Sequence, residues 1–244
     1  MKLTNNVFEA LIHPLSNTDF FTDYFEKKYH HASLQSPLTE FDLEKFEKLL
    51  WSHEKELADR IRLNKAGEEA HYIRDREGMD RYGWIMQHVR EGYTVIFNGI
   101  ESIDPGAAGI VLALNDVFHG PTSVNAFLTP PGVQGFLPHF DTHDVFVYQV
   151  EGSKKWNLYK GELSLPMDEQ IYLVDQETLG EPLASYELEP GDVLYVPRGV
   201  IHGANTTNAH SLHLTIGIRP LLKVDYLKLV LDVLSREDPD FRKS

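Results

Sequence analysis

From Ser123 to Ile218 the chain is a succession of short runs rich in Val, Ile, Leu, Phe and Tyr, each cut off by Pro or Gly. The runs lie at roughly 123–128, 138–150, 154–159, 170–174, 184–188, 192–196, 200–204 and 210–218. Pro130-Pro131-Gly132, Glu151-Gly152, Glu189-Pro190-Gly191 and Pro197-Arg198-Gly199 supply the turns between them. Such residues suit a pleated, half-buried surface, and Pro and Gly end it. Many short strands of this kind bury their apolar faces by wrapping on one another, so the expectation is a β-barrel or sandwich.

Helical patterns flank this region. Residues 1–92 read mostly as helices packed on the barrel. Ser16 to Asp19 caps the aromatic segment that follows, and residues 39–50 carry apolar residues at 43, 46, 49 and 50. Gly67 and Gly78 punctuate a mixed-charge stretch, and a short helix from Tyr82 to Arg90 ends at Gly92. Tyr93 to Phe97 reads as a strand, and Asp104-Pro105 opens a helix over 104–120. A last amphipathic helix spans about 221–235. The expected organisation is mainly β with flanking helices: a helical region 1–92, a barrel domain 93–220 and a C-terminal helix 221–244.

Composition narrows the chemistry. The 244 residues include no cysteine, so disulfides and thiolate metal sites are excluded and any metal must use His and carboxylate. The net charge of -14 is the wrong sign for a generic nucleic-acid binder. Between Lys160 and Arg198 there is no basic residue, while Glu162, Asp168, Glu169, Asp175, Glu177, Glu181, Glu187, Glu189 and Asp192 fall there. That stretch is a solvated surface or a negative rim that attracts a cationic substrate such as a basic peptide. No apolar run reaches the length of a membrane span, and the N-terminus lacks the apolar core of a signal peptide. A cytoplasmic location is therefore expected.

The donors stand in His139-Phe140-Asp141, answered by His202 inside Pro-Arg-Gly-Val-Ile-His. Two histidines and a carboxylate are the donor set of the facial triad that holds Fe(II) with open positions. On a strand His139 and Asp141 would share a face, and His202 would close it from a neighbouring strand. His143 continues that face and is a rival ligand. Gly191, Pro197, Gly199 and His202 stand as G-x5-P-x-G-x2-H, which resembles the second metal motif of the cupins.

Asn125 through Asp141, Val145 through Tyr159, and the stretches Gly191–Thr206 and His210–Ile216 resemble the JmjC-type ribosomal oxygenases, with weaker likeness over 14–28 and 91–101. These are cupin-like Fe(II)/2-oxoglutarate hydroxylases acting on ribosomal proteins. The resemblance implies a double-stranded β-helix, with Fe(II), 2-oxoglutarate and O2 as cofactors and hydroxylation of an amino-acid side chain. It implies His139, Asp141 and His202 as iron ligands and Lys154 as the partner of the distal 2-oxoglutarate carboxylate. Asn125 matches a pocket residue near the cosubstrate; Ser211, His213 and Thr215 line the pocket or support the ligands. Where a small hydroxyl residue is expected after Leu-Thr-Ile, this chain has Gly217, so a cosubstrate contact is lost there or is supplied by Thr215 or a water. Only 24 residues follow Pro220, so a short form without the family's winged-helix domain is expected. Substrate recognition then falls to the barrel mouth, the N-terminal helices and the acidic stretch, with a protein or peptide as partner and a ribosomal protein as one candidate. Two other readings stay open: a cupin metalloenzyme that does not use 2-oxoglutarate, and a non-catalytic metal-stabilised binding module.

Overall fold

The structure, a computed structural model, describes residues 4–52, 58–71 and 80–243. Gly78 lies outside them. The strands are β1 (His30–Ser33), β2 (Ile61–Lys65), β3 (Glu68–Ala70), β4 (Thr94–Phe97), β5 (Thr122–Thr129), β6 (Asp144–Tyr159), β7 (Ala184–Leu188), β8 (Asp192–Val196) and β9 (Ile201–Ile218). The helices are α1 (Thr4–Ile12), α2 (Asn17–Asp19), α3 (Leu43–Ser52), α4 (Arg81–Arg90), α5 (Pro105–Phe118) and α6 (Lys223–Glu237). Their caps follow the sequence: the Ser16, Asp80 and Asp104 side chains accept from the backbone N–H of Asp19, Gly83 and Ala107. No helix among the described residues is long and apolar enough to cross a membrane.

All the strands pair antiparallel, in the order β1-β8-β6-β9-β5-β4-β2-β3, with β7 on the far half of β6. The long pair β6 and β9 turns one ladder into two layers. Its near half, Asp144–Glu151 against Leu212–Ile218, carries β8 and β5 on its flanks; its far half, Lys154–Tyr159 against Ile201–Thr206, carries β7. The register slips between Gln149 and Glu151 and again between Gly152 and Lys154. Gly152 sits at that kink with φ +64°, where a Cβ would lie 1.7 Å from the His210 carbonyl oxygen.

The apolar residues sort by strand parity, as a double-stranded β-helix requires. Phe146, Tyr148, Val193, Tyr195, Leu212, Leu214, Ile216 and Ile218 pack outward with Phe8, Phe20 and Phe118 under the helices. Val145, Val147, Leu194 and Val196 face inward against Trp156, Leu158 and Leu188 of the second layer. The next inward residues, Lys154, His213 and Thr215, line a cavity rather than the packed core.

Four local expectations change. The runs 138–150 and 154–159 are one strand that starts only at Asp144, and 200–204 with 210–218 are another. Glu151-Gly152 is a bulge inside β6 rather than a turn, because β9 runs alongside and keeps the ladder going. Residues 170–174 form no strand, and Ile171 and Leu173 are 76% and 98% exposed. The region 1–92 is not purely helical, since β1 extends one edge of the sheet and β2 and β3 the other.

Candidate active site

His139 lies outside the named strands. A backbone bridge positions it: His139 N–H donates to the His202 carbonyl (3.0 Å), and His202 N–H donates to the His139 carbonyl (2.7 Å). Gly199 N–H, in the turn before β9, donates to the Asp141 carbonyl (2.9 Å). The irregular segment 139–143 is thus sewn to the start of β9, and proximity of the donors comes from this bridge rather than from alternation along one strand.

The donor atoms of His139, Asp141 and His202 lie within 4.8 Å of one another. His202 Nε2 is 3.6 Å from Asp141 Oδ2. His139 Nδ1 meets the Leu137 carbonyl (2.9 Å) and His202 Nδ1 meets the Val200 carbonyl (3.0 Å). A carbonyl only accepts, so each Nδ1 carries the proton and each Nε2 lone pair is left for a metal. Burial lowers the His202 pKa to about 4, with His139 adding to the effect, so the ring is a neutral donor at neutral pH. Burial by itself would raise the Asp141 carboxyl, but His202, His139, His143 and Arg219 hold it below its ordinary value. One ionised carboxylate and two imidazoles converge here, the donor chemistry that suits Fe(II). His143 is not among the three converging donors.

These residues open into a cavity of about 340 Å³ between the two layers. Asn125, Phe127, Val145, Val147, His213 and Thr215 line one wall, and Lys154, Trp156, Gly203 and Ala204 line the other. Lys154 is 4% exposed and donates to Thr129 Oγ1 (3.0 Å), with no carboxylate partner among the described residues. Burial lowers its pKa to about 7. Lys155, on the opposite face, is exposed. Trp156 Nε1 and His213 Nδ1 are buried with no hydrogen-bond partner among the described residues. A buried cation and two orphaned polar atoms around one cavity fit an anionic ligand with several acceptors, as a dicarboxylate is.

Of the other expected residues, Asn125 presents its amide to the cavity while its Oδ1 accepts from Gly99 N–H (2.9 Å), which leaves Nδ2 free. Thr215 and His213 line the cavity, and His213 stacks on Phe127 at 4.9 Å. Ser211 does not line it: its Oγ accepts from Gln149 Nε2 (2.9 Å) one step deeper. Trp156, Phe127 and Phe136 were not singled out in the sequence. Trp156 could have been, since it shares a strand face with Lys154.

The acidic stretch packs over the donor segment. Tyr172 lies 4.6 Å from the Phe140 ring, Thr142 Oγ1 donates to Asp168 Oδ1 (2.6 Å), and Gln176 Nε2 donates to the Pro138 carbonyl (3.1 Å).

The JmjC domain model matches residues 111–226, which span the cavity walls and all three donors. The chain is 33% identical over 217 residues to a bifunctional lysine-specific demethylase and histidyl-hydroxylase NO66 of Aedes aegypti, covering 86% of this chain and 34% of that protein. It is 30% identical over 255 residues to ribosomal oxygenase 1 of Danio rerio, covering 98% of this chain and 46% of that protein. The chain belongs to the JmjC family of ribosomal oxygenases. The fold agrees: the Escherichia coli ribosomal oxygenase YcfD, solved with cobalt and 2-oxoglutarate, superposes with a TM-score of 0.63 at 17% identity, over 92% of this chain and 57% of that one. This JmjC chain spans about a third to a half of the length of the curated relatives it matches.

Proposed function

We propose that this JmjC chain is an Fe(II)/2-oxoglutarate-dependent oxygenase that hydroxylates an amino-acid side chain in a protein or peptide. The observation that carries the reading is the convergence of His139, Asp141 and His202 in the same cavity as the buried, acid-free Lys154. When bound, Fe(II) with 2-oxoglutarate supplies an oxidation by O2 in which substrate C–H becomes C–OH and the keto acid becomes succinate and CO2.

The chain's own residues do the positioning. His139, Asp141 and His202 would hold the metal at the cavity wall they line. Lys154 Nζ, steadied by Thr129, holds the far carboxylate of 2-oxoglutarate, a bond strengthened by the dry surroundings. Asn125 Nδ2, Trp156 Nε1 and His213 supply further polar contacts, and Phe127, Phe136, Val145 and Val147 exclude water. Succinate and CO2 leave without any protein group having been consumed.

Recognition of the substrate belongs to the cavity mouth and the acidic segment fastened beside it. Its nine acids with no basic residue favour a cationic peptide, with a ribosomal protein one source. The test is mass spectrometry of basic peptides and ribosomal proteins after incubation with Fe(II), 2-oxoglutarate and air. A +16 Da product with stoichiometric succinate is the expected result; iron bound with no succinate from any substrate would defeat the reading. Formation of product without 2-oxoglutarate would point to a different cupin chemistry.

A further inference from the structure

Gly217 carries no side chain, and an imidazole occupies the space beside it. A Cβ built on Gly217 would lie 2.7 Å from His143 Nε2 and 2.8 Å from His143 Cδ2. The imidazole of His143 therefore fills the space a side chain at 217 would take. It does so on the cavity face of β9, since Gly217, Thr215 and His213 alternate onto the same side and His143 itself lines the cavity.

Two further observations define what this imidazole offers. Arg219 lies with its NH2 group 3.5 Å from His143 Nδ1. Guanidinium only donates, so Nδ1 is the acceptor and Nε2 carries the proton. Among the described residues Nε2 has no hydrogen-bond partner, and His143 lines the cavity. Along the wall, the pairs run from Ser211–Thr129, where Lys154 is bonded, through His213–Phe127 and Thr215–Asn125 to Gly217–Ser123. Lys154 thus marks one end of the cavity and His143, two residues past Asp141, the other.

Resting on the reading above, we propose that His143, seated in the space that Gly217 leaves open, is a cosubstrate-positioning residue: its Nε2–H donates to the metal-side carboxylate of 2-oxoglutarate while Lys154 holds the distal one. The site accordingly discriminates for 2-oxo acids carrying carboxylates at both ends.

The test uses the full chain loaded with redox-inert Mn(II) under argon, with 2-oxoglutarate binding read by calorimetry. His143→Ala should weaken 2-oxoglutarate about tenfold or more, the loss of one hydrogen bond to a charged group, while Mn(II) affinity stays within about threefold. His143→Ala/Gly217→Ser should recover most of that loss, because the vacated space accepts a hydroxyl. A merely structural role would not be rescued this way. Lys154→Ala is the control for the underlying reading. If Lys154→Ala weakens 2-oxoglutarate and His143→Ala does not, this inference falls and the oxygenase reading stands. If neither variant affects 2-oxoglutarate binding, both fall. Loss of Mn(II) binding in His143→Ala would make it a metal ligand and overturn the proposal equally.

Discussion

At the scale of single residues, Asp141 and Lys154 divide the work between metal and cosubstrate. Asp141 is the one anionic donor among the three, held ionised by its histidine neighbours despite burial. Asp141→Ala should weaken Mn(II) binding by at least about a hundredfold, by the scale of removing a ligand or its support, and should abolish succinate formation; equilibrium dialysis and succinate assay check the two arms. Lys154 is a cation with its charge suppressed by burial, to a pKa of about 7. A bound carboxylate restores the charge, so 2-oxoglutarate must bring a proton with it wherever free Lys154 is neutral. Affinity should be flat below about pH 7 and fall by up to about tenfold per pH unit above it. Calorimetry in two buffers of different ionisation enthalpy measures that proton directly, and in Lys154→Met both the proton uptake and most of the affinity should vanish. Neither role is visible from residue type: Lys155 is the same amino acid one position on, and it faces solvent.

At the scale of elements, the decisive object is the kinked pair β6–β9. Each strand serves two layers, and the kink lets Lys154 and Trp156 look back at the wall formed by the same pair. Gly152 makes this possible, with φ +64° and no room for a Cβ beside the His210 carbonyl. Gly152→Ala should destabilise the fold by about 2–4 kcal/mol, read as a lower urea midpoint, and should weaken 2-oxoglutarate through Lys154. The strand runs in the sequence were legible where hydrophobic alternation was clear, as in β5 and β7, or where a short apolar run stood between Pro and Gly, as in β8. Strand continuity was not, because Glu151-Gly152 has the composition of a turn whether the partner strand ends there or continues. The segment 170–174 errs the other way: β-forming residues stay irregular there, with Ile171 and Leu173 in solvent rather than on a buried sheet face.

At the scale of the whole molecule, a buried network ties the N-terminal region to the donor segment. Tyr195 hydroxyl donates to Asp144 Oδ1 (2.5 Å), Glu26 N–H donates to the Tyr195 hydroxyl oxygen (2.9 Å), and Arg198 NH2 meets Glu26 Oε1 (2.7 Å). Asp144 opens β6 three residues after Asp141, and Arg198 lies in the turn that precedes His202. Burial raises the Asp144 pKa to about 6 despite the Tyr195 hydrogen bond, and Oδ2 has no partner among the described residues. The folded chain therefore keeps a proton that the unfolded chain releases between about pH 4 and 6. This site's contribution to stability is greatest below that window and is lost as pH rises through it, by about 3 kcal/mol for a shift of about two units. Asp144→Asn should remove this part of the slope, so that the variant's denaturation midpoint gains on the parent between pH 4.5 and 7. An unchanged difference between the two proteins across that range would count against a protonated Asp144.

Some features are written in local sequence. The cap residues Ser16 and Asp104 and the parity of Lys154 against Lys155 act through neighbours a few residues away, so composition and spacing suffice to read them. The identity of the donors is likewise local, because a cysteine-free chain offering His-x-Asp and a Pro-x-Gly-x-x-His turn has few other ways to hold a metal. Tertiary structure alone decided how the donors meet, through the His139–His202 backbone bridge, and that His143 fills the gap over Gly217 while Ser211 turns to Gln149. Those outcomes depend on which strand lies beside which and on the room between them, and no spacing along one chain encodes the distance across a cavity.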